Sequence, residues 1–418
     1  MGSLEHLVDI HVDRCIGCTR CMRVCPTEAI RIQNNKVNLM EERCIYCGNC
    51  ISNCHKNAYK VTSDSFANLL KHKLNVVLLP ISIYGMVSNT EELNAVYQTL
   101  YNYGFDEVFD LSIITQILSE KTDYMLSDNN DKTYILSQCP SIIRLIQLKY
   151  PSMLNHLLPF AFPFEIGAKM ARKLFSKKYN LNEINIGISY VSECLSNFIA
   201  IKKPIDKAKS NVDYVFLFND LFKNINAIKN TNFNKQVAKK GIQFGKVGAI
   251  EKTTNIKEYL SVDGINRVSD VLEKVYLDSF SHIKIIEAYS CVGGCIGGNF
   301  TVENTYLSKW KINHFSQGLS DEESEKYVES YRNYLEGSDW YFKEEIKGKD
   351  PFKLSDNINQ SLIKMNKINE ILKKLPNIDC CACGSPSCRA LAEDIVNNHK
   401  TIEDCVVLYK NQGGSYES

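Results

Sequence analysis

The chain has 418 residues, an apolar fraction of 44% and a formal net charge of +1. Its length predicts two or three domains, because single hydrophobic cores stop growing well short of it. The near-zero charge argues against a broad basic face for nucleic acid and against strong attraction to anionic membranes. No charged leader followed by an apolar stretch opens the sequence, and the run NVVLLPISIYGMV (75–87) is too short to span a bilayer. The expectation is a cytoplasmic protein. Seventeen cysteines are then the outstanding feature. In a reducing compartment, closely spaced cysteines read as metal or cluster ligands rather than disulfides.

Residues 1–66 form the first predicted domain, an α+β two-cluster module. CIGCTRCMRVCP (15–26) has the spacing C-x2-C-x2-C-x3-C-P, and CIYCGNCISNC (44–54) repeats it without the proline, with His55 in its place. Three thiolates at this spacing hold three irons of one cubane, and the fourth cysteine of each run reaches the other cluster, as in two-cluster ferredoxins. The pattern assigns Cys15, Cys18, Cys21 and Cys54 to one [4Fe–4S] cluster and Cys44, Cys47, Cys50 and Cys25 to a second. Zinc knuckles and a disulfide scaffold are the competing readings.

The second predicted domain covers 72–345 and alternates strands with helices. KLNVVLLPIS (73–82), FDEVFDLS (105–112) and KTYILSQC (132–139) read as buried strands, with SNTEELNAVYQTLYNY (88–103) as a helix between the first two. NIGISYVS (185–192), VDYVFLF (212–218) and HIKIIEAYSC (282–291) form a second strand series. Two such series predict an α/β architecture of two lobes with mainly parallel sheets. Cys139, Cys194 and Cys291 each follow a strand, where ligands gather in open parallel sheets, and Cys295 follows in CVGGCIGG. Each cysteine alone reads as a small buried hydrophobe. Together they read as one shared metal site in the cleft between the lobes.

The third predicted domain, 346–418, is small and helical. A charged helical stretch (319–349) leads toward it, and SLIKMNKINEILKKL (361–375) is its first helix. IDCCACGSPSCRALAEDIV and the later EDC give C-x2-C-x4-C-x16-C with Cys380, Cys383, Cys388 and Cys405, and RALAEDIVNNH (389–399) is the helix across the long gap. The set suits a [4Fe–4S] cluster, with zinc as the alternative. Cys381 is left over as packing or a free thiol. Trp310 and Trp340 are expected to pack between lobe and tail. The basic runs at 202–209 and 239–240 read as solvated faces, and no histidine spacing suits a metal. Glu165 and Glu193 are candidates for a proton path that sequence cannot trace.

SQCPSIIRLIQLKYPSM (137–153), SECLSNFIAIKKP (192–204) and EAYSCVGGCIGGNF (287–300) resemble, in order and rough spacing, the three signature segments of the [FeFe]-hydrogenases. The two-cluster domain in front and the four-cysteine module behind extend the resemblance over nearly the whole chain. It implies an H-cluster: a [4Fe–4S] cubane on Cys139, Cys194, Cys291 and Cys295, with Cys295 bridging to a diiron unit that carries CO, cyanide and a dithiolate. It further implies reversible H2 oxidation and proton reduction in an anaerobe, electrons relayed through the other [4Fe–4S] clusters, a ferredoxin or signalling protein as redox partner, and dedicated maturases to supply the diiron unit.

Three positions depart from the family pattern. Gln138 stands where a proton-relaying cysteine precedes the first ligand, and an amide does not titrate in the useful range. Asn197 stands where a lysine hydrogen-bonds a cyanide, and Ser192 replaces a methionine. Both can still donate hydrogen bonds. The departures resemble the divergent group D and hydrogen-sensing branches and imply slow or sensory chemistry. A hydrogenase-like iron–sulfur assembly protein, or a multi-cluster electron carrier without diiron, is the competing function.

Overall fold

The computed structural model describes residues 7–127, 132–222, 236–277, 282–335 and 337–411. Two compact units result. Residues 1–61 and 349–418 make unit 1, and residues 62–348 make unit 2. The two ends of the chain therefore fold as one body, and the cysteine-rich segments of both ends lie within it.

In unit 1, strand β1 (Asp9–Ile10) pairs antiparallel with β4 (Tyr59–Lys60), and β2 (Ile30–Gln33) with β3 (Lys36–Leu39). One-turn helices Arg20–Arg23 and Asn49–Ser52 carry the middle of each cysteine run. The longer helices Ile358–Lys374 and Cys388–Val396 form the C-terminal part, each opened by a side-chain cap: Asn357 accepts from Asn359 N and Gln360 N, and Ser387 from Ala390 N.

Unit 2 holds two parallel sheets. The first has the order β6 (Glu107–Asp110), β5 (Leu74–Leu79), β8 (Ile186–Ser192), β9 (Tyr214–Leu217). β5 and β8 are central and every residue in both is buried, which is why LNVVLL and IGISYVS are continuous apolar or small-residue runs rather than alternating ones. The second sheet has the order β10 (Tyr259–Asp263), β11 (Ile285–Tyr289), β7 (Tyr134–Ile135). Intervening helices start where sequence places start signals. Asn89 caps helix Thr90–Asn102 by accepting from Glu92 N, and Pro140 and Pro163 open helices Pro140–Lys149 and Pro163–Tyr179.

Two expectations are corrected, and one strand is new. Strand β10 was not anticipated, since TYR-LEU-SER-VAL-ASP is half-exposed along its length at a sheet edge and lacks a buried strand's apolar run. The charged stretch 319–349 is helical only over Asp321–Glu329, followed by turns and a short 3-10 segment at Gly337–Trp340. Trp340 is buried, but Trp310 is 58% exposed on helix Thr305–Gln317, stacked on His314 one turn later.

Candidate metal centres

In unit 2 the backbone brings the scattered thiols to the carboxyl ends of strands from both sheets. Cys139 follows β7 and immediately precedes helix Pro140–Lys149, with Ile142 N and Ile143 N donating to its carbonyl. Cys194 follows β8 and precedes helix Leu195–Lys202, and its Sγ accepts from Asn197 N at 3.5 Å. Two of the four sulfurs thus sit at helix N-termini, where the dipole favours negative charge. Cys291 follows β11, and Cys295 opens a short 3-10 turn. Ser290 joins two of them: the Cys139 thiol donates to Ser290 Oγ at 3.6 Å, and the same Oγ lies 3.8 Å from Cys291 Sγ.

Burial pushes the thiols of Cys194 and Cys295 well up and that of Cys291 to about 12. After burial come charged neighbours: Glu193, Cys291 and Cys295 around Cys194, Cys139 beside Cys291, and Glu193, Cys139 and Cys291 around Cys295. Each of these three thiols therefore feels the charge of at least one other of the four, and Ser290 Oγ links Cys139 and Cys291 directly. Dehydrated thiols that repel as thiolates are stable together only as neutral acids or around a cation that takes their charge. Among the described residues no three His, Cys, Asp or Glu groups close to the spacing of a single metal ion. Cys139, Cys194, Cys291 and Cys295 are free thiols, the ligand type an iron–sulfur centre takes. Close packing secures the cradle: a Cβ on Gly298 would lie 2.3 Å from Glu193 O.

The flanking positions are occupied by a polar network. Ser192 is buried and its hydroxyl donates to Cys194 O at 2.9 Å. Asn197 Nδ2 donates to Glu193 Oε1 at 3.1 Å and to Tyr190 OH at 3.3 Å, and Tyr190 OH donates to Glu193 Oε2 at 2.6 Å. Burial raises the Glu193 carboxyl to about 7 against these bonds. Gln138 is half-buried beside Cys139. Glu165 is engaged elsewhere, accepting from Lys207 Nζ at 2.6 Å, Ser210 Oγ at 2.6 Å and Asn211 N at 2.9 Å, and so anchors the 207–211 loop. Ser290 and Tyr190 escaped sequence reasoning. Adjacency to Cys291 was the available signal for Ser290, whereas Tyr190 reads as an ordinary strand aromatic.

In unit 1, Cys15, Cys18, Cys21 and Cys54 line one cavity together with Ile32, Val37 and Tyr59. Burial raises the Cys50 thiol well up, and its near neighbours are then Cys47, Cys44 and Cys25. Tyr59 lies between the sets. Its hydroxyl is raised by burial and then by Cys50, Cys21 and Cys54. In the C-terminal part, Cys388 and Cys405 share a core with Ile368, Leu375 and Leu391, and Cys383 packs against it. Burial raises Cys383, with Cys380 among its charged neighbours. Cys381 has φ +64°, and its thiol donates to Pro386 O at 3.2 Å and Asp379 O at 3.4 Å.

Residues 79–240 match the family model for the C-terminal domain of the iron-only hydrogenase large subunit. Over that segment the chain is similar to the iron-only hydrogenase large subunit. Residues 7–55 match a 4Fe–4S dicluster domain and 375–407 an Fe–S cluster domain, one at each end of the hydrogenase segment. A curated relative, an uncharacterized protein of Methanocaldococcus jannaschii, is 39% identical over 57 residues, 14% of this chain. The chain spans a quarter of that relative's length. Solved structures similar to the chain include variants of the [FeFe]-hydrogenase HydA1 from Chlamydomonas reinhardtii, at 12% identity and TM-score 0.49, covering 68% of this chain and 98% of that one. A HydA structure showing stepwise H-cluster assembly gives the same figures, 12% identity and TM-score 0.49, with 68% and 98% covered. No described helix is long and apolar enough to cross a membrane.

Proposed function

We propose that the hydrogenase domain binds an H-cluster and reacts reversibly with H2, slowly, with electrons relayed by the [4Fe–4S] clusters of unit 1. The observation that supports this reading is the placement of Cys139, Cys194 and Cys291 after three strand ends in two sheets, with Ser290 Oγ linking Cys139 and Cys291. These four would hold the cubane, with Cys295 shared with the diiron unit. When bound, that unit supplies a Lewis-acidic iron and a basic amine for heterolytic H2 chemistry. The protein's own contribution is positional. The helix N-termini at Cys139 and Cys194 offset the anionic centre, and the tight glycine turn after Cys295 leaves no room for bulk there.

Gln138 supplies no titrating proton carrier beside Cys139, which supports slow turnover or a hydrogen-sensing role. Its partners are then H2, protons, the maturases and a ferredoxin or signalling protein in the cytoplasm. A second reading, a cubane-only scaffold or electron carrier, is favoured by the closed Glu193–Tyr190–Asn197 network. There the Asn197 amide already donates to protein partners beside Cys194. Expression with the hydrogenase maturases followed by infrared spectroscopy separates the two. Bands of iron-bound CO and cyanide are expected. Their absence, with a control hydrogenase matured in parallel, overturns the H2 reading, and H2-dependent dye reduction then ranks enzyme against sensor.

A further inference from the structure

The C-terminal thiol set is not an isolated appendage. Within unit 1 it packs on the two-cluster part along a seam built from β2. Ile32 N donates to Gly384 O at 2.8 Å, and Gly384 is the residue after Cys383. Ile32, in turn, lines the cavity of Cys15, Cys18, Cys21 and Cys54. Ile32 therefore lines the cavity of one thiol set while its backbone bonds to the residue that follows a cysteine of the other.

The approach is close enough to demand glycine. Gly384 has φ +77°, and a Cβ there would lie 2.2 Å from Ile32 O. A second strand of the seam runs in parallel: Arg23, two residues after Cys21, donates from Nη2 to Cys380 O at 3.1 Å. Beside them lies a buried ion pair. Arg31 Nε donates to Asp394 Oδ2 at 2.8 Å, with side chains only 3% and 10% exposed, and Ser385 Oγ donates to the same oxygen at 2.7 Å. Arg43 reaches Glu393 on the same helix at 3.5 Å. A merely tethered module would not need this much buried polar matching.

We infer that the Ile32–Gly384 seam is the electronic contact joining the C-terminal set (Cys380, Cys383, Cys388, Cys405) to the Cys15 set, making unit 1 a three-centre relay in which the C-terminal centre is a terminal station. The inference rests on the cluster assignments proposed above. Transfer across the seam moves one electron. The donor centre is oxidised by one unit, the acceptor reduced by one, no proton is exchanged, and an iron–sulfur carrier protein is the external source. Arg23, Arg31 and Asp394 are positioning residues, acting by holding Gly384 and Cys380 against β2. The contact pairs the C-terminal centre with the Cys15 set, since Ile32 lines the cavity of that set.

The test is electron paramagnetic resonance of the reduced, anaerobically reconstituted full chain, with iron counted on the same sample. In the native chain the C-terminal signal is expected to be split or broadened by its neighbour. Gly384→Ala wedges the seam directly and should convert that signal to an isolated, unsplit one. Arg31→Glu, which touches no thiol and faces Asp394 with a like charge, should do the same, and the swap R31E with D394R should restore the interaction. An unsplit C-terminal signal in the native chain with full iron content overturns the inference, as does an interaction unchanged in both single variants. A chain that fails to take up iron at Cys380, Cys383, Cys388 and Cys405 overturns instead the cluster assignment beneath it.

Discussion

Replacing Asp394 with alanine tests the seam energetically. The change deletes the acceptor of Arg31 Nε and of Ser385 Oγ while leaving Arg31 buried. Breaking a buried ion pair from one side costs about 3–5 kcal/mol, because the remaining charge has lost both water and partner. Arg31 Nη1 retains Glu28 O at 2.8 Å and Ile30 O at 3.3 Å, which puts the charge contribution at the lower end. The orphaned Ser385 hydroxyl adds about 1 kcal/mol. The expected loss is about 4 kcal/mol in holding β2 against the C-terminal helix, roughly a thousandfold in the opening equilibrium. Native-state hydrogen exchange reads it directly, since Ile32 N–H is protected by Gly384 O across the seam. Peptides covering 28–36 should exchange about a thousandfold faster in the variant. The apolar pair Arg31→Met with Asp394→Leu removes both charges together and should cost no more than about 1 kcal/mol. Protection within a factor of five of the native chain in Asp394→Ala, or a double variant as open as the single, would refute the assignment of this ion pair as the seam's clamp.

Glu193→Leu deletes the acceptor of Tyr190 OH and one of the two acceptors of Asn197 Nδ2 in a buried site and should destabilise unit 2 by about 1–3 kcal/mol, whereas Glu193→Gln, which keeps an acceptor, should stay within about 1 kcal/mol by thermal unfolding. Gly298→Ala drives a Cβ into Glu193 O and is expected to lower the iron bound in unit 2 while the unit 1 signals persist; unchanged iron content removes the cradle argument. Asp110 is fully buried, and burial raises its carboxyl above the ordinary 3.8 despite bonds from Tyr84 and Ser112. The folded chain thus keeps that proton where the unfolded chain has lost it, so its contribution to stability is full below pH 3.8 and declines as pH rises through the raised value. Asp110→Asn should abolish this part of the decline, and an unfolding profile of unaltered slope counts against it. If proton relay limits turnover, Gln138→Cys should speed H2-dependent dye reduction at unchanged H-cluster occupancy by infrared; an unchanged rate moves the limit to the Asn197 network.

The central strands β5 and β8 were legible because burial on both faces forces continuous apolar runs, which composition alone displays. Strand β10 was not, because an edge strand needs burial on one side only and Tyr259–Asp263 is half-exposed throughout. Its partner β11 supplies the pairing that its own sequence does not announce. Trp310 failed for the opposite reason. A large aromatic carries a strong prior for burial, and helix Thr305–Gln317 turns this one outward to stack on His314.

The thiol sets show where sequence spacing stops being informative. Cysteines three apart point to a shared centre, and placement after strand ends gives Cys139, Cys194 and Cys291 a common address across long gaps, because the topology of parallel sheets is itself a rule. What holds one centre against the next follows no such rule. Arg31 and Asp394 are 363 positions apart, each reading as a solvated charge on its own short element, and only folding of the two chain ends into one unit makes them partners. The same holds beside Cys194. Asn197 reads from sequence as a hydrogen-bond donor free to serve a ligand, yet three-dimensional packing turns its amide to Glu193 and Tyr190. The polar contacts beside the thiols are satisfied by whatever side chain the fold brings near, here Glu193 and Tyr190 on Asn197 and Ser290 between Cys139 and Cys291.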